Sequence, residues 1–206
     1  MLSALSLVLA LTAAPPAPAE FFPVAPGTTW TYEEVAGDAR LTFTERALAV
    51  VRIGEREAHP IESTGAGGIR QVTYYAFEGD SVLMLGSDPK RPLAEPYAIL
   101  RVGERTVRWT FTGSTPFFRD PSPLELRGEA SLRGERTVLG RRVRTLQVIL
   151  DATVGRGETS VHNRQVAVYG RGIGLIELRE TARIGKNKYE RVRRLVGFET
   201  PATEAR

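Results

Sequence analysis

The period of two that runs from Arg164 to Glu199 leaves this chain few folds to choose from. The stretch reads RQVAVYGRGIGLIELRETARIGKNKYERVRRLVGFE. Ile176, Leu178, Ala182 and Ile184 recur on one parity, and Glu177, Arg179, Thr181 and Arg183 occupy the other. Successive side chains of a strand point to opposite faces, so this spacing predicts a half-buried antiparallel strand, apolar inward and charged outward. Gly185-Lys186-Asn187-Lys188 supplies a reversal, and Tyr189 to Phe198 returns alongside with Val192, Val196 and Phe198 continuing the apolar face. Upstream, Gly170, Gly172 and Gly174 break a third strand from these two, which predicts a bulge or sharp bend. A phosphate-loop reading of the same run is weaker, because no helix and no Gly-Lys-Ser/Thr ending follow it.

The same alternation is found along most of the chain. Thr28 to Tyr32 is β-branched and aromatic throughout, with Trp30 and Tyr32 on one face. Arg40 to Ile53 places Leu41, Phe43, Ala47, Ala49 and Val51 on one parity, and Glu57 to Ser63 returns as a short strand that Pro60 marks as an edge or a bulge. Ile69 to Phe77 and Ser81 to Leu85 form a hairpin across Glu78-Gly79-Asp80. Gly86 to Pro96, with three prolines, reads as a connection over one end of the sheet and not as a domain boundary, since neither flank holds enough strands for a sheet of its own. Thr106 to Thr112, Leu124 to Arg133, Val143 to Val154 and Glu158 to Tyr169 complete the series, and a second proline-bearing loop carries Phe117-Phe118. The expected fold is all-β: an antiparallel meander of roughly eleven or twelve strands, with little or no helix, curled into a barrel or half-barrel.

Ahead of this domain, Met1 to Leu11 is apolar and uncharged, and Ala17-Pro18-Ala19 offers an A-x-A cleavage site. The pattern predicts a signal peptide over residues 1–19, too short to span a membrane, and a single β domain over residues 20–206 in a periplasmic or secreted location. The sequence contains no cysteine, which excludes a disulfide framework, a thiol nucleophile, a Cys-ligated metal and a lipid-anchor cysteine within it. Residues 1–100 carry seven basic and twelve acidic side chains, net −5, whereas residues 101–206 carry 21 and 12, net +9. The arginines alternate along strands and do not form blocks, so pairing between the two halves across the sheet is expected over a dedicated anion-binding face.

Catalytic chemistry finds little purchase. His59 and His162 are the two histidines and have no nearby His or Cys companion, short of the three or four ligands that zinc requires. No carboxylate pair is singled out for glycoside hydrolysis. The export pattern and the scarcity of aromatics in the basic half argue against nucleic acid. No catalytic residue, metal or cofactor is assigned.

Phe22-Pro23-Val24-Ala25-Pro26-Gly27-Thr28-Thr29-Trp30-Thr31-Tyr32 resembles the opening F/Y-P-L-x-x-G-x-x-W-x-Y of exported bacterial proteins grouped as TapB-like or related domains of unknown function. Tyr169-Gly170-Arg171-Gly172-Ile173-Gly174-Leu175-Ile176 is similar to their closing Y-x-x-G-V-G-L-V. The resemblance implies a curved antiparallel sheet of the kind seen in periplasmic lipoprotein carriers, and it implies no reaction. The expected function is a non-catalytic envelope domain whose concave face shelters an apolar or amphiphilic partner, a lipid or a lipidated protein. Trp30, Tyr32, Phe43, Trp109, Phe111 and Phe198 are the candidate lining residues, and Arg108 and Arg171 the candidate anion-binding rim. The alternative is a packed interaction module of the envelope with no small-molecule ligand.

Overall fold

A computed structural model describes residues 16–65, 68–115, 122–157 and 160–201. The apolar Met1–Leu11 run, Ala66-Gly67 and Phe117-Phe118 lie outside the described residues. Among the described residues, one helical turn, α1 (Pro18–Phe21), precedes thirteen strands. These are β1 (Thr29–Ala36), β2 (Ala39–Ala47), β3 (Val51–Ile53), β4 (Arg56–Thr64), β5 (Arg70–Glu78), β6 (Ser81–Gly86) and β7 (Tyr97–Arg101). They continue with β8 (Val107–Thr115), β9 (Ser122–Val138), β10 (Arg141–Val154), β11 (Val161–Gly170), β12 (Gly174–Ile184) and β13 (Asn187–Glu199).

Twelve of these strands form one antiparallel path, β7-β6-β5-β4-β2-β1-β13-β12-β11-β10-β9-β8, and β3 pairs with β4 beside it. The path joins two meanders where β1 pairs with β13, so the first and last strands meet in the middle of the sheet. Its free ends, β7 and β8, curl round to face each other and leave a barrel that is closed except for one seam. With no helix layer to cover an apolar face, closing the sheet on itself is the way to bury it. Side chains bridge the seam where backbone bonds do not. The Trp109 indole of β8 donates from Nε1 to the Ala98 carbonyl of β7 at 3.0 Å, and the Phe111 and Tyr97 rings lie 5.4 Å apart. Gly128 of β9 lies under the Trp109 ring. A Cβ there would sit 2.1 Å from Trp109 Cε2, so no larger residue fits beneath the indole.

Four local expectations are corrected. The Arg40–Ile53 segment is two strands, β2 and β3, which pair with successive parts of β4. Pro60 stands on an interior strand, not an edge, between the residues that pair with β2 and those that pair with β3; the proline lacks an N–H, and its carbonyl accepts from Leu48 N at 2.9 Å. The segment Tyr97–Arg101 forms β7, a strand the alternation did not reveal. On β13 a bulge at Val196 resets the parity, so Leu195 is buried, Val196 is 43% exposed, and the inward set above the bulge is Tyr189, Arg191, Arg193 and Leu195.

The glycine run forms the β11–β12 turn. Gly172 and Gly174 take φ of +73° and +94°, in the left-handed region that side chains resist. Gly172 has open space around it, whereas a Cβ at Gly174 would come within 3.2 Å of Trp30 Nε1. Gly170 has no such backbone demand but is hemmed in by Val143 and Ile176. The N-terminal segment is fastened to this turn: Gly172 N donates to the Glu20 carbonyl at 2.6 Å, and the Arg171 guanidinium pairs with the Glu20 carboxylate.

Candidate functional site

Alternate residues of each strand fill the barrel, and they divide its interior into three regions. The first is aromatic and solid. Phe21 is fully buried, and Phe22 packs edge-on to Tyr75 at 5.0 Å, with Phe77 and Tyr169 each 6.4 Å away. Trp30 donates from Nε1 to the Ile173 carbonyl at 2.6 Å, and the Tyr32 hydroxyl donates to the Leu175 carbonyl at 3.2 Å. Only a void of about 30 Å³ remains beside Phe22, Trp30 and Tyr32. Burial pushes the Tyr32, Tyr75 and Tyr169 phenols up, and the nearby Glu45 carboxylate adds to it.

The second region is a charged band on the inward parity of β1, β2, β12 and β13. Arg193 donates from Nε and Nη2 to Glu34 Oε2 at 3.1 and 3.0 Å, and from Nη1 to Glu45 Oε1 at 3.2 Å. Its guanidinium lies 4.2 Å from the centre of the Phe43 ring, a cation–π arrangement. Arg191 pairs with Glu180 and, at 3.7 Å, with Glu34. Ser63 donates to Glu45 at 3.3 Å, and Asn163 Nδ2 donates to Glu180 Oε1 at 2.6 Å. The Glu34, Glu45 and Glu180 side chains are between 10% and 18% exposed, so these carboxylates are held out of bulk water. Desolvation raises the Glu45 carboxyl above its ordinary value, against the opposing pull of Arg193.

The third region is not filled by side chains. A cavity of about 260 Å³ lies between β6–β8 on one side and β9–β11 on the other. Leu124, Leu126, Leu150, Val154 and Val161 make it predominantly aliphatic, and Tyr97 and Ile99 bring the seam strand β7 into its wall. Its polar wall groups are few: Thr115, Asn163 and Gln165. Asn163 therefore borders both the cavity and the charged band, and among the described residues its buried Oδ1 has no hydrogen-bond partner.

The six aromatic candidates do not come together around one space. Trp30, Tyr32, Phe43 and Phe198 pack in one cluster under the β11–β12 turn. Trp109 and Phe111 pack in another at the seam, where Phe111 touches the cavity wall through Tyr97. Arg108 points outward and pairs with Glu129 at 2.8 Å, and Arg171 pairs with Glu20 at the opposite turn, so neither borders the cavity. Part of the charged band is legible in the sequence: Glu34, Glu45 and Glu180 break the apolar parity of their strands, whereas Arg191 and Arg193 come inward only through the bulge at Val196. A larger depression, about 770 Å³, is lined by Arg127, Asp151, His162, Arg164 and Arg183 and also by Phe111, Leu126, Ala152 and Asn163, of which the last three are shared with the aliphatic cavity. Its lining is mixed polar and apolar, and within it Arg164 is paired with Asp151 at 2.8 Å. His59 is held below its ordinary value by burial and stacks edge-on to Phe77 at 5.0 Å. Among the described residues no group of three or more potential ligands could hold a metal, and no helix is long and apolar enough to cross a membrane.

No protein-family model matches the chain, and no curated protein does. Three solved structures are similar in fold. One, from Bacteroides fragilis, is described as exported with a YmcC-like fold; it has 10% identity and a TM-score of 0.44 over 87% of this chain and 99% of its own. A protein from Parabacteroides distasonis described as a lipoprotein has 10% identity and a TM-score of 0.41, covering 87% and 98%. The hypothetical lipoprotein YmcC from Escherichia coli has 15% identity and a TM-score of 0.37, covering 87% and 89%. None of the three is described as TapB-like.

Proposed function

We propose that the chain is exported, is cleaved after Ala19, and serves as a non-catalytic envelope domain that shelters one single-chain amphiphile inside its barrel. The observation that carries this reading is the aliphatic cavity of about 260 Å³ beside the charged band. It approaches the ~300 Å³ at which small-molecule pockets begin, and it has their usual composition of apolar wall with a few polar groups. Trp109 and Phe111 act here as supports: they hold β7, and with it Tyr97 and Ile99, against the rest of the wall. Cleavage before Glu20 leaves the new terminus tied to the glycine turn through its carbonyl and its carboxylate.

The test is calorimetric titration of delipidated protein with monolauroylglycerol below its micelle concentration. Saturable binding is expected at one molecule per chain, with about tenfold weaker binding for Ala152→Phe, which fills the cavity. The second reading, an interaction module of the envelope, draws on Leu41, Ile184 and Tyr189, which are 46%, 43% and 56% exposed on the inward parity of β2, β12 and β13. It is left standing if no amphiphile binds.

A further inference from the structure

We infer that the barrel docks on an anionic lipid bilayer through the end toward which its cavity lies, with the β12–β13 hairpin leading. The use of that surface, to pass an amphiphile between bilayer and cavity, rests on the shelter reading above.

Topology gathers the surface. In an antiparallel path alternate turns share an end, so the turns after β1, β4, β6, β8, β10 and β12 fall together. The solid aromatic region lies at the opposite end, under the β11–β12 turn. The cavity lies toward the first end, because Leu124, Val154 and Val161 of its wall belong to the last paired rows of β9, β10 and β11 there. Val161 stands opposite Ile184, and cross-strand neighbours on one face touch. The apolar wall therefore runs on to the exposed Ile184, with Tyr189 one row further in, opposite Ala182. Ile69 beside the β4–β5 turn, 75% exposed, adds a third large apolar side chain at this end.

Charge selects the partner. The tip of the β12–β13 hairpin carries Ala182, Ile184 and Tyr189 on its inward face. Arg183 and Lys188 occupy its other face and Lys186 its turn, and no acid occurs from Arg183 to Lys188. Lys188 pairs with Glu190, whereas Arg183 and Lys186 have no acidic partner among the described residues. Three of the chain's 28 basic residues are lysines, and all three, Lys90, Lys186 and Lys188, stand at this end. Lysine is depleted from protein–protein interfaces, but beside an inserted apolar side chain its flexible stem lets the ammonium reach lipid phosphates. The apolar side chains also stand on separate hairpins. A protein partner needs one packed, desolvated centre, whereas a bilayer accepts dispersed insertion. The polar backbone of the turns keeps the contact at the depth of the headgroups.

The experiment cosediments delipidated protein, with no amphiphile added, with two kinds of vesicle: pure phosphatidylcholine, and phosphatidylcholine mixed with phosphatidylglycerol. Binding is expected to be about tenfold tighter on the anionic vesicles at physiological ionic strength, and to fall to the neutral level in high salt. Ile184→Ser combined with Tyr189→Ser should weaken it about tenfold. Lys186→Glu combined with Lys188→Glu should abolish the preference for anionic lipid and leave the Tm near wild type. Should the serine pair not fold, the lysine pair, which lies outside the core, reads the surface by itself. Leu139→Asn is the control: Leu139 is 46% exposed in the β9–β10 turn at the opposite end, and its variant should bind as the wild type does. Equal binding to neutral vesicles, or an equal loss in Leu139→Asn, would overturn the inference. So would the absence of vesicle binding, and a dimer abolished by the serine pair would then assign the face to a second copy of the chain. Each of these results leaves the shelter reading standing, since that is read from monolauroylglycerol. Failure of that titration with vesicle binding intact would strike the cavity's role and keep the docking surface.

Discussion

Arg193 occupies a position where the strand pattern wants an apolar side chain. It follows the inward parity of Leu195 and Tyr189, and it is tolerated there because Glu34, Glu45 and the Phe43 ring together satisfy it. Removing one partner of such a group costs far more than the group contributes. Arg193→Met leaves Glu34 and Glu45 facing each other with less counter-charge, and should destabilise the fold by about 3–5 kcal/mol. Glu45→Gln behaves differently. Burial raises the Glu45 carboxyl in the folded state, so its contribution to stability is fully present below the unfolded value and is lost as pH rises through the folded one. Wild-type protein should therefore lose ground to Glu45→Gln as pH rises from about 4.5, the ordinary glutamate value, toward neutrality. Asp80 works in the opposite sense. Burial would raise it, but hydrogen bonds from Arg101 and Ser81 outweigh that and hold it low, so its stabilisation is lost as pH falls. Melting curves of both proteins across this range check the sign. A Tm difference that is independent of pH would show that Glu45 titrates as an ordinary carboxylate.

The seam between β7 and β8 is the weakest joint of the barrel, because it lacks the backbone ladder that every other neighbour on the path has. It was also the least legible element. β7 is five residues long and confined between Pro96 and Gly103, too short for an alternating pattern to stand out, and its place is set from outside by register with β6, such as Val82 opposite Leu100. The long strands β9 and β10 were readable for the opposite reason: each carries several inward apolar residues at a period of two, Leu124, Leu126, Ala130 and Leu132 on one and Leu146, Val148, Leu150 and Ala152 on the other. Bulges limit that legibility, since Val196 shifts the whole upper part of β13 by one residue and no sequence signal marks it. The seam yields its own prediction. Trp109→Phe removes the bond to Ala98, worth about 1 kcal/mol, and leaves indole volume unfilled above Gly128. Amide exchange in Tyr97–Arg101 should then speed up about tenfold, while β10 and β11 stay near their wild-type protection. Uniform acceleration across all strands would mean that the seam does not open by itself.

At the scale of the whole molecule, the fold class followed from one consideration: a long amphipathic meander with no helix to cover it must close on itself. The acidic and basic halves of the sequence do meet, through Glu34–Arg193, Glu45–Arg193 and Glu20–Arg171, because the sheet path brings β1 beside β13 and α1 onto the β11–β12 turn. What alternation could not reveal is how much of the enclosed space is filled, since that depends on how side chains from opposite walls meet. The aromatic end is solid and the β6–β11 side is open. Because Tyr97 and Ile99 of the seam strand belong to the cavity wall, an occupant of the cavity also bears on the seam. A ligand that binds only the folded state stabilises it by mass action, about 2.7 kcal/mol at a hundred times its Kd, which for a domain of this length corresponds to a Tm rise of roughly 5–10 °C. Monolauroylglycerol should therefore raise the Tm and, in the same titration, slow amide exchange in Tyr97–Arg101 more than in β12 and β13. Binding at the exposed Leu41, Ile184 and Tyr189 face would raise the Tm without that local protection. A rise in Tm with β7 exchange unchanged would place the ligand outside the barrel and remove the cavity from its role.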